Sequence, residues 1–109
     1  MIKDIKSYIE KFESRTKDRF YDLNKLIYDS TSQIITEKLW AKLPSYYVGN
    51  NFVRIIPFKD HINIEANAVI SHKDDLGDYK ITPKGMLQIF HNQLIPDEIL
   101  KVVFKESLE

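Results

Sequence analysis

The side chains here whose types could do chemistry are three histidines, a pair of aspartates, one lysine–glycine step and a group of aromatic residues. His61, His72 and His91 lack the i, i+2 or i, i+4 spacing that sets two imidazoles on one metal. Each reads first as a surface or hydrogen-bonded residue. His61 is the best placed, because it follows a short turn beside an aromatic strand. Asp18 and Asp22 are one helical turn apart, about 6 Å, so together they could offer oxygen ligands to a hard cation. Glu13 is a third oxygen donor nearby, while Asp29 lies too far along to join them. Lys84-Gly85 lacks the preceding glycine and following hydroxyl of a nucleotide phosphate loop. It reads as a turn before a strand, or as an anion site with Lys84 and the backbone N–H groups around Gly85 as donors. Trp40, Tyr46, Tyr47 and Phe58 read mainly as core. As neighbours on a strand, however, Tyr46 and Tyr47 must face opposite sides, so one of them lines an open groove.

Several function classes are disfavoured by what the chain lacks. No strand–Gly-x-Ser-x-Gly elbow or dinucleotide fingerprint is present, and no nucleophile–base pair is identifiable. General acid–base chemistry would need Lys84 and His61 to converge, so the chain reads as a non-enzyme. It has no cysteine, which removes disulfides, thiolate metal sites and cysteine nucleophiles. Sixteen basic and sixteen acidic residues balance to zero formal charge. A nucleic-acid binder ordinarily carries a basic excess, so neither DNA nor RNA is an expected partner. No apolar run approaches the roughly 20 residues of a membrane span, and Met1–Lys6 has no apolar signal core. A cytoplasmic monomer or weak homodimer is the expectation.

The elements that must position these residues follow from periodicity. At 109 residues the chain suits one domain, residues 1–109. Ile2, Ile5, Ile9 and Phe12 predict a first helix. Ser14 or Thr16 could cap a second, whose buried face would carry Phe20, Leu23, Leu26, Ile27 and Ile34. Its end is expected near Ser30. Leu39–Val48 reads as one strand, bent or ended near Pro44. Gly49-Asn50-Asn51 is a turn, and Phe52–Phe58 and His61–Glu65 form an antiparallel pair across Lys59-Asp60. Asn67–Leu76 suits a short helix ended by Gly77, Lys80–Gly85 a loop, and Met86–Phe90 a strand. Pro96 opens the last helix, with Ile99, Leu100, Val103 and Phe104 as its buried stripe. The fold class is therefore α+β: an antiparallel sheet with N-terminal and C-terminal helices packed on one face.

Five segments, in order, resemble the YdhG-like family of small bacterial domains. Ile5-Lys6-Ser7-Tyr8-Ile9 is similar to the family's short first helix. Trp40-Ala41-Lys42-Leu43-Pro44-Ser45-Tyr46 resembles its aromatic, proline-containing first strand. Phe58-Lys59-Asp60-His61-Ile62 looks like its "F-K-K-H-I" hairpin. Leu76–Gln88 resembles its "Y-K-T-S-K-G-T-I-Q" segment, and Leu94–Leu100 the "P-L-P-x-x-L-I" lead-in to its last helix. Glu65-Ala66-Asn67 and Ile89-Phe90-His91 depart from the family pattern. The resemblance implies a frataxin-like packing and, because some members are called intracellular iron chaperones, weak iron binding and delivery to an iron–sulfur or haem assembly protein. Frataxins use a dense acidic ridge for iron. Here lysines interrupt the acids of the first helix, and only Asp18 and Asp22 pair locally.

Two non-catalytic functions thus stand. One is an iron-binding module using Asp18, Asp22 and Glu13. The other is a module for a small anionic or aromatic ligand, or a protein partner, lined by Tyr47, His61, Lys84 and Gln88 on the open sheet face and the Thr82–Gly85 loop.

Overall fold

The computed structural model describes Met1–Glu109. Helix α1 spans Lys3–Ile9, and Ile5 and Ile9, one turn apart, are its buried residues. Helix α2 spans Ser14–Ser30 and buries Thr16, Phe20, Leu23, Leu26, Ile27 and Ser30 along one stripe. Neither Ser14 nor Thr16 caps it. Glu13 holds the N-cap position without a side-chain bond, and the Thr16 hydroxyl is turned inward. At the other end the Ser30 hydroxyl donates to the Ile27 carbonyl at 2.6 Å, and Thr31 is already extended. Ile34 therefore lies beyond the helix, 90% exposed, and not on its buried face.

The aromatic segment forms two strands where the sequence suggests one. Strand β1 is Thr36–Trp40 and β2 is Leu43–Val48. They pair antiparallel, with Trp40 opposite Leu43. Ala41 and Lys42 make the two-residue turn, at φ +50° and +67°. Strand β3, Asn51–Pro57, follows a turn at Gly49-Asn50, where Gly49 takes φ +60°. Pro44 does not end β2. It ends the β2–β3 ladder, whose last pair is Ser45 with Arg54. Two-residue loops are flanked by hydrogen-bonded pairs that then alternate, so the next bond to β3 would come from the N–H that proline lacks.

Strand β4, His61–Ala66, pairs with β3 as expected, and the Phe58 N–H closes the hairpin on the His61 carbonyl at 2.8 Å. A 3-10 segment at Asn67–Leu76 then crosses to β5, only Lys80–Ile81, and β6, Leu87–Phe90. The start of the expected Lys80–Gly85 loop is thus a strand. Gly77 is an ordinary right-handed residue at the end of the 3-10 segment. The sheet order is β1-β2-β3-β4-β6-β5, antiparallel throughout. Helix α3, Asp97–Leu108, begins one residue after Pro96 and buries Leu100, Val103, Phe104, Ser107 and Leu108.

Alternation along the strands sends Tyr46, Val53, Ile55, Ile62, Ile64, Leu87 and Ile89 into one core with the helices. Each large side chain buried there contributes roughly 1.5–3 kcal/mol. Tyr46 is wholly buried, and its hydroxyl donates to Asn24 of α2 at 2.8 Å. The other face of the sheet carries no helix.

Candidate functional site

The register sorts the outward-facing side chains into rows. Tyr47 faces Phe52, Ser45 faces Arg54, and Arg54 faces Glu65. Asn63 lies opposite Gln88, and His61 opposite Phe90. Tyr47, His61 and Gln88, three of the expected ligand residues, therefore share the open face. Tyr46 is the neighbour that points into the core.

At the centre of the face lies Arg54, which is 5% exposed. Its guanidinium sits 4.0 Å from the Trp40 ring centroid and 3.8 Å from that of Phe52. Its Nε–H donates to the Ser45 hydroxyl, Nη1 to Glu65 Oε1 and Nη2 to the Tyr47 hydroxyl, each at 3.1 Å. Tyr47 in turn lies 6.0 Å from Phe52 and carries the Lys38 ammonium over its ring at 4.8 Å. A guanidinium held this way is a fixed planar cation. Sequence reasoning passed over it. The available sign was a lone charge in the apolar run Phe52-Val53-Arg54-Ile55-Ile56.

The second feature is His61. Its ring stacks on Phe58, centroids 4.4 Å apart and 14° from parallel, with Phe90 at 5.4 Å. Its Nδ1–H donates to the Asp60 carboxylate at 2.6 Å. That bond holds the Asp60 carboxyl below its ordinary value and fixes the imidazole, leaving Nε2 without a partner in the chain. Beside it, Gln88 donates to Asn63 at 3.2 Å.

Lys84 is set apart from this group. It lines a groove of about 330 Å³ with Phe52 and Glu65 at the far end of β4. His61 and Glu65 are separated by about 13 Å at 3.3 Å per residue. Lys84 and His61 therefore do not converge for acid–base chemistry.

The other two histidines are hydrogen-bonded, as their sequence contexts suggested. His72 bonds Glu106 at 2.8 Å, which raises its pKa, aided by Asp75. His91 is buried with Nε2 3.0 Å from the Thr16 hydroxyl. Its Nδ1 has no partner. Burial lowers its pKa, and Arg19 and Arg15 lower it further.

Asp18 and Asp22 are exposed on α2 and enter none of the ion pairs. Asp22 lines a groove of about 470 Å³ with Asp29, Asp97 and Glu98, interspersed with Arg19, Lys25 and Lys101. No three His, Asp or Glu side chains are grouped to hold a metal ion, and no helix is long and apolar enough to cross a membrane. Comparison with models of protein families, with curated proteins and with solved structures gave no match.

Proposed function

We propose that this chain is a non-catalytic binding module, that its working surface is the open face of the sheet, and that its partner is another protein. One observation carries the reading: Trp40 and Phe58 stand 48% and 42% exposed on a face organised around a clasped arginine. Trp, Tyr, Phe and Arg are the residues enriched in the cores of protein interfaces. Held rigidly before contact, they lose little side-chain entropy on binding. Small molecules generally need a cleft, whereas the larger groove lies between α2 and α3 on the other side of the sheet and the second opens only at one end of this face, beside Phe52 and Glu65. The resemblance to YdhG-like domains supports a binding role, and both terminal helices on one side of the sheet suit the frataxin-like packing it implies.

A photo-crosslinking residue at Leu43 or Phe58, compared with one at Tyr21 or Val102 on the helical layer, tests the reading in cells. A discrete adduct from the sheet positions alone is expected. Adducts of equal yield from both layers, or none from the sheet, would reject it.

Iron binding is a second reading. It rests on the same resemblance and on two exposed carboxylates, Asp18 and Asp22, free of competing ion pairs. On that reading ferrous iron at sub-millimolar concentration shifts the amide NMR signals of α2 around these residues. An unmoved α2 spectrum ends it.

A further inference from the structure

The groove that holds Lys84 sits where the β2–β3 turn at Asn50, the start of β3, the end of β4, the 3-10 segment at Asn67, the turn Thr82–Gly85 and Ser107 of α3 meet. That last turn is tightly built. The Gly85 N–H donates to the Thr82 carbonyl at 2.8 Å, the Thr82 N–H to the Met86 carbonyl at 2.8 Å, and the Met86 N–H to the Thr82 hydroxyl at 3.1 Å. Gly85 takes φ +87°, a conformation that favours glycine. The backbone carrying Lys84 is thereby fixed at the groove rim.

Within the groove the charges are of opposite sign and only partly used. Lys84 has no ion-pair partner. Glu65 gives one oxygen to Arg54 and keeps the other free. The side-chain amides of Asn50 and Asn67 make no bond within the chain, and each offers both donors and an acceptor.

We propose that this groove binds a small zwitterion of the amino-acid type, with its carboxylate received by Lys84, its ammonium by Glu65, and its remaining polar groups by the asparagine amides. A simple anion such as phosphate would meet the Glu65 carboxylate, and a simple cation would meet Lys84. A volume of about 330 Å³ falls at the small end of ligand sites. This site adjoins the partner surface proposed above at Phe52 and Glu65, while Lys84, Asn50 and Asn67 lie outside the rows of the sheet face.

The test is amide NMR titration of the intact chain with a panel of free amino acids up to about 10 mM, well above the Kd of a millimolar site. Each active compound is then repeated as its N-acetyl form, which lacks the ammonium, and as its amide, which lacks the carboxylate. At least one free amino acid should shift Asn50, Asn67, Lys84 and Gly85, with both blocked forms weaker by about tenfold or more. Lys84→Ala, at an exposed position, should keep the wild-type melting temperature and weaken binding by a similar factor. Glu65→Gln should do the same to binding. A silent spectrum across the panel overturns the proposal. So does equal binding of the blocked forms, unchanged affinity in Lys84→Ala, or inorganic phosphate shifting the same amides as strongly.

Discussion

Arg54 shows how one residue can organise a surface. Its five N–H groups cannot all be replaced by water, because two aromatic rings cover the guanidinium and Ser45 below it is fully buried. Arg54→Ala should therefore cost about 2–4 kcal/mol, leaving hydroxyls unpaired and a gap between rings. Arg54→Lys should recover less than half of that, since an ammonium cannot bridge three acceptors in one plane. Urea unfolding of the two variants checks both values. The ion pair itself is a minor part. The Glu65 side chain is 37% exposed, so a double-mutant cycle with Glu65→Gln should return a coupling of only about 0.5–1 kcal/mol. None of this was visible along the chain, because Arg54 meets Ser45, Tyr47 and Glu65 only through cross-strand register. Tyr47 was legible, since its adjacency to Tyr46 forced the two apart. His61 was legible too, through the turn that precedes it.

Among the elements, the hairpin of β1 and β2 is where local sequence and structure disagree most. Its turn requires two left-handed residues, and Ala41 and Lys42 supply neither the flexibility of glycine nor the local bonding of asparagine. That is why Leu39–Val48 reads as one strand. The turn is held by the pairing on both sides of it and not by its own residues. Replacing Ala41-Lys42 by Asn-Gly should raise stability by about 1–2 kcal/mol, measured as an increase in the urea midpoint without a change in slope. The hairpin at Lys59-Asp60 was readable because apolar alternation resumes on both sides of a short polar step. The stripe of α2 was readable for the same reason, up to Ser30. Strand β5 was not: two residues carry no periodicity, and only β6 beside them makes them a strand.

For the molecule as a whole, acid should act through the buried imidazole of His91. Its pKa is lowered by burial and by Arg19 and Arg15. In the unfolded chain it takes a proton near pH 6.5, whereas in the fold it resists one. Stability should therefore fall as pH drops below that value. His72 works in the other direction: its bond to Glu106 raises its pKa, adding stability below pH 6.5 that is lost as pH rises through its folded value. Its partners Glu106 and Asp75 are open to solvent, so its effect is small. Urea midpoints from about pH 8 to about pH 5 keep clear of the lowered carboxylates of Asp29, Asp60 and Glu109. Over that range the wild type should lose stability, and His91→Gln should flatten or reverse the slope. A wild-type curve that is flat would show that the Thr16–His91 contact carries no such linkage. The general α+β arrangement, with helices at both ends, was legible from periodicity alone. The contact between Thr16 and His91, 75 residues apart, was not.

The chain contains a single tryptophan, and it is the ring that covers Arg54. Excited at wavelengths where the six tyrosines do not absorb, its fluorescence therefore comes from the proposed contact surface alone, at the β1 edge of the sheet. An indole stacked on a guanidinium and half open to solvent changes its emission when either neighbour changes. Docking of a partner, loss of the clasp in Arg54→Lys, and unfolding each place that indole in a different environment. The protein thus carries its own optical reporter for the face on which its function is expected to turn, with no label to attach and no residue to add.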